Sequence, residues 1–123
     1  VFHVAAIAGI WGKFDRYYKA NYLASENLYY KCIESKIKYF IYTSTPSVVF
    51  ENTDIVAGDE SLTYPEKYFT DYAKTKAMAE KFRLGNKSDA FHVIAIRPHL
   101  IWGPGDPHLF PRIIAKAKQT KLN

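Results

Sequence analysis

The sequence predicts an α/β fold, a partial doubly wound parallel sheet with helices packed against it. Short apolar segments alternate with longer amphipathic ones along the 123 residues, in the order strand, helix, strand, helix, strand, helix. This alternation is typical of parallel sheets, because a crossover helix joins each strand to the next. Three strands alone would leave two open edges. We therefore expect further strands before Val1.

The first strand is predicted over residues 1–8, a continuous apolar run of the kind that is buried on both faces of a parallel sheet. The run is too short to span a membrane, and no basic residues precede it, so we do not interpret it as a signal peptide. Gly9 and Gly12 end the strand. The first helix is predicted from Asp15 to about Ser35, where tyrosines and aliphatic residues follow helical spacing loosely.

The second strand is predicted from Ile37 to Thr45, where β-branched and aromatic residues dominate. A long loop follows from Glu51 to about Tyr68, and loops of such length in compact domains are often functional. The second helix is predicted from Thr70 to Lys87, since Gly85 and Asn86 are helix stop signals.

The third strand is predicted from Phe91 to Ile96 and ends before Pro98, because proline cannot donate to a central ladder. A turn-rich loop over residues 101–107 follows, and a last helix is predicted from Leu109 to Lys121. His99 and His108 flank this loop without a third ligand at metal spacing, so we expect no metal site.

Composition narrows the classes of function. The net charge of +5 comes from lysines that are dispersed along most of the chain, which argues against a nucleic-acid-binding stripe. No run of 18 apolar residues is present, and the single Cys32 cannot form an internal disulfide. These features favour a cytoplasmic location, with membrane association only through segments that lie outside the chain. Cys32, His3 and His92 are expected to be packed rather than catalytic.

Tyr72 and Lys76 are the strongest chemical signal in the sequence. If their segment is helical, the two side chains lie one turn apart on the same face. An ammonium group beside a phenol lowers the tyrosine pKa, which would make Tyr72 an acid or base near neutral pH. The structural alternative is an amphipathic helix with a half-buried tyrosine and a solvated lysine.

The strand ends carry the other candidate groups. In doubly wound sheets, ligands bind beyond the carboxyl ends of the strands. In this chain those ends are Ala5-Ala6, Thr43-Ser44-Thr45 and Arg97-Pro98-His99. Because neighbouring residues of a strand point to opposite faces, only one of the hydroxyls of Thr45 and Ser44 should face the site, and the resemblance described below implies that it is Thr45. A shift of one residue in register would exchange the two hydroxyls.

Taken together, these residues resemble the extended short-chain dehydrogenase/reductase family over nearly the whole chain. Tyr72 and Lys76 match its Tyr/Lys pair, and Thr45 falls at its Ser/Thr position. The other matching segments are Val1-Phe2-His3-Val4-Ala5-Ala6, the helix segment from Asn21 to Leu28, and the segment from Arg97 to Asp106. The resemblance implies a Rossmann-like NAD(P)-binding domain, of which residues 1–123 are the central and C-terminal part.

The segments 43–50, 58–65 and 97–107 look most like the 3β-hydroxysteroid dehydrogenase branch, which includes sterol-4α-carboxylate 3-dehydrogenases. This resemblance implies hydride transfer between a secondary alcohol or ketone, such as a 3β-hydroxysteroid or a related hydrophobic hydroxy compound, and NAD or NADP. Nucleotide-sugar epimerases and dehydratases share the core motifs and are the alternative within the superfamily. A non-catalytic fragment that serves binding or assembly is the alternative of another class.

The resemblance also implies roles for individual residues. Tyr72 would exchange a proton with the substrate oxygen, Lys76 would lower the pKa of Tyr72 and bind the nicotinamide ribose, and Thr45 would hydrogen-bond the same substrate oxygen. Asn21 would hold Lys76 through water. The residues expected to bind the cofactor are Ala5, Ala6, Tyr72, Lys76, Pro98 and His99.

Two parts of the family's fold are expected to lie outside this chain: the glycine-rich phosphate loop, upstream of these motifs, and the C-terminal substrate-binding part, after Asn123. Gly9 and Gly12 could mimic the phosphate loop, but Asp15 and Arg16 stand where a third glycine would fall. We therefore expect the isolated chain to be inactive. The resemblance further implies a homodimer through the helices from Asp15 to Ser35 and from Thr70 to Lys87.

Overall fold

Three parallel strands form the sheet, in the spatial order β1-β2-β3. The computed structural model describes residues 1–106 and 109–119, so His108 and the end of the last predicted helix lie outside the described residues. The strands are β1 (Phe2–His3), β2 (Tyr39–Thr43) and β3 (His92–Ile96). Phe2 pairs with Ile41, and Thr43 pairs with Ile96. The predicted parallel α/β architecture is confirmed.

The first predicted helix is composite. It begins as α1 (Phe14–Tyr17), continues through a π-helical segment (Tyr18–Leu23) and ends as α2 (Ala24–Glu34). The backbone stays in the right-handed helical region at both junctions, so the chain does not break. A π-helical segment inserts an extra residue into the helix and is frequent at functional sites.

The remaining helices follow the predicted order. A short 3₁₀ helix (Pro46–Val48) follows β2, α3 spans Asp71–Gly85, and α4 spans Leu109–Gln119. Thr70 caps α3 by accepting a hydrogen bond from the Ala73 amide at 3.1 Å. Among the described helices, none is long and apolar enough to cross a membrane.

The main core lies between one face of the sheet and the helices α2 and α3. Its buried members are Tyr29, Cys32, Phe40, Tyr42, Ala79, Phe91 and Val93. A second cluster holds the long loop against α3 and consists of Val48, Val49 and Ala77, with Leu62, Tyr64 and Tyr68 packed on it. The long loop is thus anchored to the helix that carries the candidate Tyr/Lys pair.

The opposite face of the sheet is exposed, which corrects the prediction for the first strand. Within the predicted run of residues 1–8, only Phe2–His3 forms a strand. Phe2 is 75% exposed, whereas His3 is buried. Ile94 and Ile96 are exposed on β3. The expected burial on both faces is wrong for the described residues, because they pack helices on one face only. His92 is also exposed and stacks on Tyr39, with ring centres 5.3 Å apart.

Candidate active site

The helix α3 brings the Tyr/Lys pair to the carboxyl end of β2. The capping threonine at position 70 fixes the first turn, and the helix presents small buried residues, Ala73, Ala77 and Ala79, toward the rest of the fold. Small side chains allow the helix to lie close to the sheet. Tyr72 and Lys76 therefore face the point where β2 ends.

Lys76 is buried and not solvated. Only 2% of the residue is exposed, and its Nζ donates a hydrogen bond to the backbone oxygen of Thr43 at the end of β2. The same Nζ lies 4.2 Å from the centre of the Tyr42 ring. Burial, followed by the positive charge of Arg83, lowers the pKa of Lys76 from 10.5 to about 8, against an opposing effect of Glu80. The structural alternative of a solvated lysine is therefore wrong.

Tyr72 is half-buried beside Thr45 and Tyr17. Its ring meets the Tyr17 ring edge-on, with ring centres 6.5 Å apart. Burial raises the pKa of Tyr72, although a hydrogen bond with the Thr45 side chain lowers it in part. The predicted lowering of this pKa by Lys76 is wrong for the present structure, because the ammonium group is bound to the Thr43 carbonyl and faces Tyr42.

Thr45 is the hydroxyl that the structure brings to Tyr72. It lies directly after β2 and caps the 3₁₀ helix, where its Oγ1 accepts from the Ser47 amide at 3.4 Å. Ser44 is buried, and its amide donates to the Ile96 oxygen at 2.7 Å, which joins β2 to β3. Its hydroxyl has no partner among the described residues. This geometry agrees with the expectation that Thr45 faces the site and Ser44 points to the opposite face of the strand. The catalytic role of Thr45 stays a prediction.

Asn21 lies in the π-helical segment and connects the segment that follows β1 to α3. It is 1% exposed. Its Oδ1 accepts from the Ile7 amide at 2.8 Å, and its Nδ2 donates to the Ile7 oxygen at 3.0 Å and to Thr75 Oγ1 at 3.4 Å. Within the described residues, its side chain bonds Ile7 and Thr75 rather than Lys76. Its expected role in holding Lys76 stays a prediction.

The residues predicted to bind a cofactor lie at the ends of β1 and β3. Ala5 and Ala6 follow β1 and are exposed, whereas Pro98 is half-buried and His99 is exposed after β3. The methyl groups of Ala5 and Ala6 leave the backbone accessible to a flat ligand. A phenol, a hydroxyl and an ammonium group lie at the intervening strand end. This donor set fits a ligand that carries ribose hydroxyls and an amide, as a nicotinamide nucleotide does.

Gly9 and Gly12 have a packing role in this structure. A Cβ on Gly9 would lie 2.7 Å from the Tyr17 hydroxyl, and one on Gly12 would lie 2.8 Å from Tyr17 Cε2. The Tyr17 hydroxyl donates to the Trp11 oxygen at 2.8 Å, which holds the loop around the ring. These glycines make room for a tyrosine that contacts Tyr72.

The structure adds a buried polar network that the sequence analysis did not identify. His3 is hydrogen-bonded to Ser25, and burial with the nearby Arg83 and Lys76 charges lowers its pKa to about 4. The Arg83 guanidinium lies 4.4 Å from the Tyr42 ring centre. The Glu80 carboxylate is also fully buried. In the sequence, the charged residues at positions 76, 80 and 83 are spaced so that they share one helix face, and this spacing could have indicated the network.

Comparison with known proteins identifies clear relatives. The sequence model of the 3-beta hydroxysteroid dehydrogenase/isomerase family matches residues 1–123. A 2-alkyl-3-oxoalkanoate reductase of Shewanella oneidensis is 43% identical over 99% of this chain and 33% of its own length. A decarboxylating sterol-4-alpha-carboxylate 3-dehydrogenase of Bos taurus is 38% identical over 99% of this chain and 35% of its own length. The chain thus spans about a third of the curated relatives it matches.

Solved structures with the same fold include nucleotide-sugar proteins. MoeE5 in complex with UDP-glucose and NAD matches with a TM-score of 0.76 at 29% identity, over 94% of this chain and 40% of that protein. UDP-glucuronic acid 4-epimerase from Bacillus cereus in complex with NAD matches with a TM-score of 0.75 at 30% identity, over 96% of this chain and 38% of that protein.

Proposed function

The chain belongs to the 3-beta hydroxysteroid dehydrogenase/isomerase family, and on that premise we propose that it carries the catalytic groups of an NAD(P)-dependent oxidoreductase. Residues 1–123 would form the central and C-terminal part of its nucleotide-binding domain. The observation that carries the proposal is the meeting of Tyr72 and Thr45 at the end of β2, with the buried ammonium group of Lys76 one helical turn away.

Tyr72 is the proposed proton donor to the substrate oxygen. Because its pKa is raised, the phenol is protonated at neutral pH and can donate to a carbonyl oxygen in the direction of reduction. Thr45 would donate a second hydrogen bond to the same oxygen and stabilise the charge that develops there. Lys76, whose pKa is about 8, would supply positive charge beside the pair when it is protonated.

NAD or NADP would be held by the exposed backbone at Ala5 and Ala6, by the segment of Pro98 and His99, and by Lys76 once its ammonium group turns from the Thr43 carbonyl toward the ribose. The bound nucleotide would deliver or accept the hydride at the substrate carbon. Asn21 keeps the Ile7 end of this surface attached to α3 and would thereby hold the cofactor-binding backbone in place.

The names of the two curated relatives support one substrate class. A 2-alkyl-3-oxoalkanoate bears its oxo group next to the carbon that carries the carboxylate, and a 3-dehydrogenase acting on a sterol-4-alpha-carboxylate works at the same relative position. We propose that the substrate is a hydrophobic 3-oxo or 3-hydroxy compound, and that a 2-substituted carboxylate is the first candidate. A nucleotide sugar is the second candidate, favoured by the two structures described above.

The test is hydride transfer in the intact protein, measured by NAD(P)H absorbance with a 2-alkyl-3-oxoalkanoate, a 3β-hydroxysteroid and a UDP-sugar. Tyr72→Phe should lower kcat by about a hundredfold or more while cofactor binding is retained. Tyr39→Phe, at an exposed tyrosine of β2 outside the proposed site, is the matched control and should behave as wild type. Turnover by Tyr72→Phe at the wild-type rate, or no turnover of any substrate by the wild type, would contradict the proposal.

We also propose that the protein forms a homodimer through α1, α2 and α3. The rings of Phe14, Tyr18 and Tyr22 stack in a row along this surface, with successive centres 5.6 and 5.1 Å apart. Tyr30 is exposed further along the same helix. Sedimentation of the intact protein tests the proposal, and a monomer at micromolar concentration would contradict it.

A further inference from the structure

Glu80 connects three separate segments of the chain around one buried carboxylate. It lies on α3 one turn after Lys76 and is 0% exposed. The Tyr64 hydroxyl from the long loop donates to Glu80 Oε1 at 2.8 Å. Arg97, which directly follows β3, donates to the same oxygen from Nε at 3.0 Å and from Nη2 at 2.6 Å. We call Tyr64, Glu80 and Arg97 the Glu80 clamp.

The components of the Glu80 clamp depend on one another. A buried carboxylate is costly unless it is paired and hydrogen-bonded, and loss of one partner leaves an uncompensated charge. The Arg97 guanidinium also lies 5.6 Å from the centre of the Tyr64 ring, and its side chain is only 23% exposed. The Glu80 clamp therefore restrains the end of β3 from two directions, through the carboxylate and through the aromatic ring.

The position of the clamp relates it to the candidate active site. Arg97 is followed immediately by Pro98 and His99, the segment expected to contact the cofactor. Glu80 shares its helix with Tyr72 and Lys76. The charged and titratable groups that influence or contact the Glu80 carboxylate are Lys76, Tyr42, Tyr64, Tyr68 and Arg97. The contact between Glu80 and Arg97 thus links the helix that bears the proposed catalytic groups to the segment after β3.

We propose that Glu80 is a positioning residue, which acts through Arg97 to fix the Pro98–His99 segment against the helix that carries Tyr72 and Lys76. The nucleotide would then meet a segment that is already in place when it binds. This inference rests on the proposed function for its kinetic consequence. The restraint on the segment itself can be measured without any reaction.

The first test compares Glu80→Gln with wild type in the intact protein. Glutamine keeps the shape and an acceptor oxygen but removes the charge that holds the guanidinium. We expect the cofactor KM to rise about tenfold, because the hydrogen bonds from Arg97 lose the carboxylate charge and are weakened, while kcat changes by less than about twofold. Glu34→Gln, which removes an exposed ion pair with Lys31, is the matched control and should leave both constants unchanged.

Three further variants test the proposal if Glu80→Gln folds poorly. Tyr64→Phe removes one hydrogen bond and keeps the ring, and its cofactor KM should rise less than that of Glu80→Gln. Arg97→Lys keeps the positive charge but not the forked geometry of the guanidinium. Its cofactor KM should therefore lie between those of wild type and Arg97→Met. A fall in Tm with an unchanged cofactor KM in these variants would overturn the proposal, since it would show a purely structural contact.

Hydrogen exchange separates this inference from the proposed function. In the absence of cofactor, the amides of residues 97–106 should exchange faster in Glu80→Gln than in wild type, because Arg97 no longer restrains this segment. If the wild type transfers no hydride to any substrate, the proposed function fails, and faster exchange still supports the positioning role. Unchanged exchange in this segment overturns the role of the Glu80 clamp whether or not the protein is active.

Discussion

Replacement of Lys76 by methionine should change how the stability of the protein depends on pH. Lys76 is 2% exposed, and its ammonium group lies among Arg83, Glu80 and the Tyr42 ring. Burial lowers its pKa from 10.5 to about 8, so the native state releases this proton more easily than the unfolded chain does. Methionine occupies a similar volume and does not titrate.

The magnitude follows from the difference between the two pKa values. Below about pH 8 the lysine is protonated in both states, and between about pH 8 and 10.5 the unfolded chain binds more protons than the native protein does. Stability therefore rises with pH in this window. At about 1.4 kcal/mol for each pKa unit, the wild type should gain about 3 kcal/mol relative to Lys76→Met between about pH 7 and about pH 11.

Urea unfolding of the intact protein without cofactor, followed over this pH range, measures the difference. Lys74→Met is the matched control, because Lys74 is an exposed residue of the same helix, and its difference from wild type should stay constant. Lys76→Met should also lose hydride transfer. Parallel pH curves for wild type and Lys76→Met would refute the reasoning, because they would show that the native environment does not disfavour the charged lysine.

Three other substitutions test the site and its supports. Thr45→Val should lower kcat by about a hundredfold in steady-state assays, because one hydrogen bond to the substrate oxygen is lost; an unchanged kcat would exclude this role. Asn21→Leu should lower the free energy of unfolding by about 2 kcal/mol in urea titrations, since it removes two hydrogen bonds to the partly buried Ile7 backbone groups; a loss below about 1 kcal/mol would contradict this. Gly12→Ala should cost about 1 to 3 kcal/mol by thermal unfolding, because the new Cβ meets the Tyr17 ring, whereas Gly103→Ala meets no atom within 4 Å and is the control.

The sequence was sufficient for the order and type of the elements. Strand and helix periods are local properties, so the parallel α/β pattern and the helix that carries Tyr72 and Lys76 could be predicted from neighbouring residues. The prediction that Thr45 and not Ser44 approaches the site combined the family resemblance with a local rule, the alternation of side chains along a strand. The fold and the approximate location of the candidate site were therefore accessible from sequence patterns and the resemblance.

The electrostatic state of the site was not accessible in the same way. The spacing of Tyr72 and Lys76 predicted a lowered tyrosine pKa, but the structure directs the lysine to the Thr43 carbonyl and leaves burial as the main influence on the tyrosine. Burial depends on which segments pack over a residue, and those segments are distant in sequence. The same reason explains why the burial of the first strand was overestimated.

For this protein, the sequence by itself determined the succession of strands and helices and the residues that reach the strand ends. Only the tertiary structure decided that Lys76 is buried, that Asn21 lies in a π-helical segment bonded to Ile7, and that Glu80 joins Tyr64 to Arg97. The physical reason is that hydrogen bonds and desolvation depend on contacts between residues far apart along the chain, which local patterns do not encode.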